Sequence, residues 1–486
     1  MMKNKKGLSA GNSFIKNFIG FSISSYFCAI ITFVASIINT RIYGPTIMGQ
    51  INLFFSVQTF ILYFAYFGVD QSYCRYYYEY SDKEKKKLMN ICVTISLAAT
   101  FILCFILMIG WQPISKFVIG DSNSKTIVIA LILSVVAQVV WRYFTLLERM
   151  KRNIFLFTIL MVLNTITNKL SFTSVAWYSK KIDICVLAIG ISSFLVTLFC
   201  YLFTKENIRL LSLRKLRRDM MVRKVVRFGF PLMPVSLISW VNSYIPIVLL
   251  RYFSSYDAVG VYSTSVVLVS IIGLIQNGLN AFWVPYYYEN YKTHNERIKK
   301  VHNVVCYIMV SVAILLILFK NVIYLILGEE YRMGTAIFAF LLVSPICYTI
   351  GETTGIGIGI SEKSYLNSVI FLVGAAVNFT ISIFLIPLYG LVGASVGVAI
   401  SSLCTLIFKT IAGEKYYQVI SNRMKTVSAL VSMLLVTIID FTVSQYSEVL
   451  KASLIVIILC ILTFIYRNEV KICINEGAKL FKIKKL

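Results

Sequence analysis

The 486-residue chain is 58% hydrophobic and only 14% charged, with a mean hydropathy of +0.78. That balance excludes a soluble globular domain and places the chain in lipid. A formal net charge of +26 would suggest nucleic acid in a soluble protein, so the position of the cations has to decide what they serve.

In chain order, MMKNKKGLSAGNSFIKNF sets basic residues ahead of an apolar run without a small-residue cleavage site, and reads as a cytoplasmic tail (1–16) before an uncleaved first segment. About 20 apolar residues cross about 30 Å of hydrocarbon. Fourteen such stretches follow, at 17–39, 46–69, 88–110, 126–147, 154–178, 183–204, 228–250, 258–282, 303–326, 334–360, 365–387, 391–412, 426–443 and 449–466. They are solidly apolar rather than alternating, which predicts an all-α integral membrane protein and not an outer-membrane barrel.

The eleven cysteines form no CxxC pair and fall mostly inside apolar runs, where they read as small core residues. His294 and His302 read as solvated loop residues without metal-ligand company. Gly355, Gly357 and Gly359 lie in an apolar helix with no preceding strand, and no Walker A motif is present, so no cofactor is expected.

With the N-terminus inside, and with lysines near helix ends counted in the adjoining segment, 36 of the 47 Lys and Arg fall in cytoplasmic segments and nine outside; Arg142 and Lys169 lie within helices. This follows the positive-inside rule, puts both termini in the cytoplasm of an inner-membrane protein, and leaves no charge that needs nucleic acid. The densest cluster, Arg214, Lys215, Arg217, Arg218, Arg223 and Lys224, marks a basic linker at 205–227.

That linker separates two related halves. Arg41 matches Arg251 at an offset of 210, and Tyr76, Tyr77, Tyr78 and Glu79 match Tyr286, Tyr287, Tyr288 and Glu289 at the same offset. The expected organisation is a six-helix lobe at 17–204, a second at 228–413, two additional helices at 414–467 and a basic tail at 468–486. Six crossings per half give both copies one orientation, hence a pseudo-two-fold along the membrane normal and a central cavity suited to alternating access.

The stretches TRIYGPTIMGQINLF, FGVDQSYCRYYYEYSDKEKKK, RFGFPLMPVSLISW, VGVYSTS, LGEEYRMG and IPLYGLVGASVGVAIS together resemble the bacterial polysaccharide-biosynthesis flippases. Each motif is loose, but their order and spacing cover nearly the whole chain. The resemblance implies two six-helix lobes around a cationic cavity. It also implies a cargo: an oligosaccharide repeat unit on undecaprenyl diphosphate, carried to the outer leaflet for capsule, O-antigen or exopolysaccharide assembly. The expected partners are that lipid-linked oligosaccharide, membrane lipids and other polysaccharide-assembly proteins.

Such a cargo needs cations for its phosphates and polar walls for its sugars. Lys169, near the middle of the fifth segment, is the foremost candidate because snorkelling is hardest there. Arg142, within six residues of an inner helix end, either meets substrate or reaches headgroups. Arg41 and Arg251, at outer helix ends, serve either as interfacial anchors or as a paired fork of donors for the diphosphate. Asp70 and Arg75 bracket the inner end of the second segment as a gate latch or an exposed loop pair. Glu352 reads as a proton-coupling carboxyl or an interhelical bond, and Asp440 as interfacial.

Polar residues at helical spacing (Ser25, Thr32, Ser36, Asn39; Ser236, Ser239, Asn242; Ser263, Ser270, Asn277) line helix faces, and Gln276, Asn277 and Asn280 are large enough to prefer a wet cavity.

An enzyme acting on the same substrate is disfavoured, because the longest outside connection, 111–125, holds one carboxylate, Asp121. An ion-coupled multidrug exporter of the same superfamily is the stronger alternative, although it would carry more cavity carboxylates.

Overall fold

A computed structural model describes residues 3–203, 210–212, 219–293, 295–443 and 446–471. Every regular element among these residues is helical, as hydrocarbon demands of a backbone that must satisfy its own N–H and C=O groups. Four of the linker cations, Arg214, Lys215, Arg217 and Arg218, and His294 lie outside the described residues. The chain divides into two compact units. One comprises Met1–Val248 with Ser255–Ser263, and the other Leu249–Ser254 with Thr264–Leu486.

The first unit contains α1 (Lys3–Ile42), α2 (Pro45–Tyr66), α3 (Val69–Tyr76), α4 (Asp82–Ile109), α5 (Trp111–Ile119), α6 (Lys125–Met150), α7 (Ile154–Ser174), α8 (Ile182–Phe203) and α9 (Met220–Gly229). The unit boundary cuts α10 (Met233–Phe253) and α11 (Tyr256–Val269). Pro45 opens α2 in the first turn, where its missing N–H costs nothing. The helix stops at Phe67 and Gly68, whose φ angles of 51° and 69° turn the chain left-handed into α3.

Gly68 has a second constraint. A Cβ there would sit 2.0 Å from the Gly229 carbonyl oxygen, so only glycine lets α3 and α9 approach so closely. Around that contact the Ser72 hydroxyl donates to the Val225 carbonyl (2.7 Å) and the Tyr76 ring meets Phe228 at 5.6 Å. Next along the chain, Ser81 and Glu84 form a capping box that starts α4. At the entry to α9, the Asp219 carboxylate accepts the Met221 N–H and pairs with Lys87 at 2.5 Å.

The second unit continues with α12 (Ile272–Asn290), α13 (Asn295–Leu318), α14 (Lys320–Leu325), α15 (Thr335–Thr354), α16 (Ile356–Ile360), α17 (Tyr365–Tyr416), α18 (Arg423–Val443) and α19 (Glu448–Ile465). At about 1.5 Å per residue, the 52 residues of α17 would be about 78 Å long, more than twice a hydrocarbon core, so α17 cannot be one crossing. Pro387 and Gly390, with φ 50° and ψ −121°, fold it back on itself. The two arms touch so closely that a Cβ at Gly393 would lie 2.2 Å from the Leu385 carbonyl oxygen.

Twelve described helices or helix runs are long and apolar enough to span a membrane. Counting α17 as two crossings and adding the bent pair formed by α11 and the start of α12 (45°) brings the number to the fourteen expected from the apolar runs.

Two local expectations fail. His302 is not a solvated loop residue: it lies on α13, 0% exposed, with its ring nitrogens bonded to the Thr353 hydroxyl (2.8 Å) and the Thr426 hydroxyl (3.1 Å). Asp440 is not interfacial: it is 1% exposed, and Lys320 donates to it at 2.7 Å while the Lys451 ammonium lies 3.9 Å away. The two misreadings have different causes: α13 begins at Asn295, earlier than the apolar run from 303 suggests, and so takes in His302, whereas α18 ends at Val443 as expected and Asp440 is covered by the lysines that reach it from α14 and α19.

Candidate functional site

In the first unit, membrane-embedded polar groups gather on α6, α7 and the start of α3. Asp70 opens α3 directly after the left-handed break, and is buried at 5% exposure. Arg142 reaches it from α6 with both Nη2 (2.8 Å) and Nε (3.2 Å) on the same carboxylate oxygen, and its guanidinium lies 5.8 Å from the Tyr66 ring centre. Arg75, the partner suggested by sequence proximity, bonds to Glu79 instead, one helical turn along. The left-handed turn at 67–68 thus presents Asp70 to α6, while Arg75 remains with its own helix.

One turn before Arg142 on the same face of α6, Gln138 donates to the Asn164 side-chain oxygen of α7 (2.8 Å). Asn168, one further turn along α7, donates to that same oxygen (2.9 Å). Its own amide oxygen is buried without a hydrogen-bond partner among the described residues, as is the Ser171 hydroxyl. Arg142, Gln138, Asn164 and Asn168 therefore form a polar strip across the helix pair. One turn on each helix, about 6 Å for four residues, runs from the Gln138–Asn164 bond to Arg142 on α6 and to Asn168 on α7, so the strip extends over roughly 12 Å.

Lys169 stands beside that strip. Its backbone is five residues from the end of α7, nearer the helix end than the apolar run suggested. A helical side chain leans toward the N-terminus of its helix, and the Lys169 ammonium lies 5.1 Å from the centre of the Phe55 ring, midway along α2. The charge is thus carried into the span although the backbone is not central. None of the described carboxylates comes within 4.0 Å of it. The Lys169 carbonyl accepts from Asn39 (2.9 Å), whose side-chain oxygen accepts from Thr173 (2.5 Å), so Asn39 fastens α1 to α7 rather than facing open space.

A second cluster lies in the second unit. Glu352, near the end of α15, pairs with Lys409 of α17 at 2.5 Å. The ammonium also lies 5.7 Å from the Tyr348 ring centre. Gln276 donates to the Pro345 carbonyl (2.6 Å) and Trp283 to the Glu352 carbonyl (3.2 Å), which packs α12 on α15; Asn277 is exposed.

The charge count had placed Lys409 among the cytoplasmic cations, whereas it is buried inside the membrane-spanning arm. The i, i+4 pairs Gln138/Arg142 and Asn164/Asn168 also escaped the sequence reading, although amides at helical spacing in apolar runs were a visible signal. Arg41 and Arg251 each lie in the last turn of their helix, α1 and α10.

Outside the spans, the Glu79 carboxyl is held below the usual carboxylate range, chiefly by the hydrogen bond from Lys224 and then by Arg75. Among the described residues no three His, Cys, Asp or Glu side chains come together as metal ligands.

Chemically, the first unit offers one internally neutralised pair, a strip of amide donors and acceptors, and one cation left to attract an anion.

A capsular polysaccharide biosynthesis protein, CapF of Staphylococcus aureus, is 25% identical over 315 residues, covering 62% of this chain and 78% of that protein. Among solved structures, the lipid II flippase MurJ in an inward closed conformation superposes with a TM-score of 0.70 at 13% identity, covering 93% of this chain and all of that one. The MATE multidrug transporter DinF-BH gives 0.56 at 15% identity over 84% and 96% of the two chains. A mutant form of the MATE transporter VcmN of Vibrio cholerae gives 0.53 at 14% over 84% and 98%. These structural likenesses establish a shared fold. The sequence profile of the polysaccharide biosynthesis protein family matches residues 14–291, more than half of the chain, and the chain therefore belongs to that family.

Proposed function

We propose that the protein is a flippase of the cytoplasmic membrane, both termini inside, that carries an undecaprenyl-diphosphate-linked oligosaccharide repeat unit from the inner to the outer leaflet for surface polysaccharide assembly. The observation that carries this reading is Lys169: a half-buried ammonium in a membrane-spanning unit, over an aromatic ring and beside a strip of side-chain amides, with no described carboxylate to neutralise it. Such a charge is costly in hydrocarbon unless an anion visits it.

Family membership supports polysaccharide assembly as the pathway class, and the fold shared with a lipid II flippase supports a lipid-linked cargo. Cationic drug export is less well served. The membrane carboxylates Asp70, Glu352 and Asp440 each hold a Lys or Arg partner and are not left open for a cation. Arg142 and Arg41 in the first unit and Arg251, Asn277 and Asn280 in the second are the further candidates for contact with diphosphate and sugar, and Asp70 and Glu352 for gating or coupling. The halves at 17–204 and 228–413 would alternate about the basic linker.

The test is a deletion strain complemented with wild type, Lys169→Ala or Lys169→Arg. Wild type restores surface polysaccharide and clears lipid-linked oligosaccharide from the inner leaflet. The Ala variant, at equal membrane abundance, leaves the precursor inside, and the Arg variant recovers a substantial part of export. Full export by the Ala variant would remove Lys169 from the path. Normal surface polysaccharide in the deletion strain would discard the flippase reading.

A further inference from the structure

In the second unit an open groove of about 560 Å³ runs between the second arm of α17 and α18. Its length is apolar: Leu406, Ile407 and Ile411 on α17, Ile350 behind them, and Val427 and Leu430 on α18. Its mouth is polar, formed by Glu414, Lys415 and Gln418 at the end of α17 and by Arg423 at the start of α18.

The dimensions fit an amphiphile. Leu406 and Lys415 are nine residues apart, or about 14 Å along the helix, close to the hydrocarbon half-thickness of one leaflet at about 15 Å. Thr410 and Thr426 on the wall already hold partners, Thr354 and His302, so the tail end carries no unmet polar demand.

The mouth has the opposite character. Glu414 turns its carboxylate onto the N–H groups of Val419 (2.7 Å) and Ile420 (3.1 Å), closing the loop between the helices. Lys415 and Arg423 are exposed, and no described carboxylate lies within 4.0 Å of either. A third cation, Lys363, donates to the Tyr416 hydroxyl at 3.2 Å and lies 4.5 Å from the centre of the same ring that Lys415 approaches at 6.0 Å. Arg423 also occupies the first turn of α18, which has no acidic residue. Cation and helix dipole repel there, and an anion relieves both.

We propose that this groove is a binding site for an anionic glycerophospholipid, with an acyl chain along Leu406, Ile407 and Ile411 and its phosphate between Lys415 and Arg423. The site lies within one unit and depends on the chain's membrane setting, not on the identity of the cargo.

Native mass spectrometry of the full-length protein in detergent, with phosphatidylglycerol and phosphatidylcholine added in equal amounts, tests it. Wild type retains phosphatidylglycerol preferentially. Each basic residue near an anionic headgroup is worth roughly fivefold in affinity, so Lys415→Gln/Arg423→Gln lowers that preference by roughly twenty-five-fold. Ile411→Trp, which fills the tail path and keeps every charge, lowers phosphatidylglycerol retention as well, while the control Lys180→Gln/Lys181→Gln in the first unit leaves it unchanged. Equal retention by the double variant and wild type overturns the proposal. So does displacement of phosphatidylglycerol by a polyprenyl phosphate at matched concentration, which would assign the groove to the carrier lipid. Because lipid retention is the readout, failure here leaves the flippase reading standing.

Discussion

Replacing Asp70 by Asn keeps the size and the polar contact of the side chain but takes away the anion that Arg142 grips with two donors at 2.8 and 3.2 Å. Breaking a fully buried pair by removing one partner costs about 3–5 kcal/mol, because the surviving charge is left unsolvated. Here the Arg142 side chain keeps 36% exposure, against 7% for Asp70. Water therefore recovers part of the loss, and an expected penalty of about 2 kcal/mol lies between the buried and surface limits.

The double variant Asp70→Asn/Arg142→Gln leaves no unmatched charge and should regain more than half of that. The assay is denaturant unfolding of the purified protein in mild detergent, run as a double-mutant cycle with Arg142→Gln, which isolates the pair's coupling from each residue's other contacts. A coupling energy above about 1 kcal/mol is expected. Additive single variants, or an Asp70→Asn protein as stable as wild type, would refute the assignment of this pair as the tie between α3 and α6.

Asp440→Asn should be more damaging, by about 3–5 kcal/mol, because it leaves Lys320, 4% exposed, without a carboxylate and facing Lys451, which keeps Glu448; thermal aggregation in detergent would show it as a lower onset temperature than Asp440→Ala/Lys320→Met. Gly68→Ala forces a Cβ into the Gly229 carbonyl at a φ of 69°, so we expect faster proteolysis near α9 and lower membrane abundance, whereas Gly110→Ala, whose nearest contact is 3.4 Å, should be tolerated.

The Glu79 carboxyl, depressed by Lys224 and Arg75, contributes stability above the ordinary glutamate pKa of about 4.3, and that contribution is lost as the pH falls through its lower folded value. The protection factors of residues 219–229, which are exchange rates corrected for the intrinsic pH dependence of amide exchange, should therefore fall on acidification below about pH 4, and Glu79→Gln should lower them already at neutral pH and abolish that pH step. Protection factors in wild type that do not change with pH would contradict the link between Glu79 and α9.

The helical, membrane-spanning character was legible because it rests on composition summed over whole segments: no single residue can reverse an apolar run such as 391–412. The fold in α17 was legible from its Pro and Gly, since the break at Pro387 and Gly390 in IPLYGLVG divides 52 residues into two lengths that each fit a bilayer. Pairings were not legible. Asp70 is five residues from Arg75 and 72 from Arg142, and only the left-handed turn at Phe67 and Gly68 selects the distant partner. Lys409 and Lys320 sat close enough to helix ends to be counted with the loops, yet their long side chains turn inward to Glu352 and Asp440. Lys169 stood out from the beginning because it lies in an apolar run with no acid nearby in sequence; what could not be inferred is that its ammonium meets Phe55.

The central claim, that a lipid-linked oligosaccharide crosses the bilayer through this protein, is tested most directly in proteoliposomes. A fluorescent polyprenyl-diphosphate oligosaccharide is placed in both leaflets, and a membrane-impermeant quencher is added outside. Without flipping, about half of the fluorescence is protected. The account predicts that wild-type protein exposes the protected half and that Lys169→Ala does not. Protection unchanged by wild-type protein, in vesicles where the same preparation moves a cationic dye, would contradict it and assign the chain to drug export.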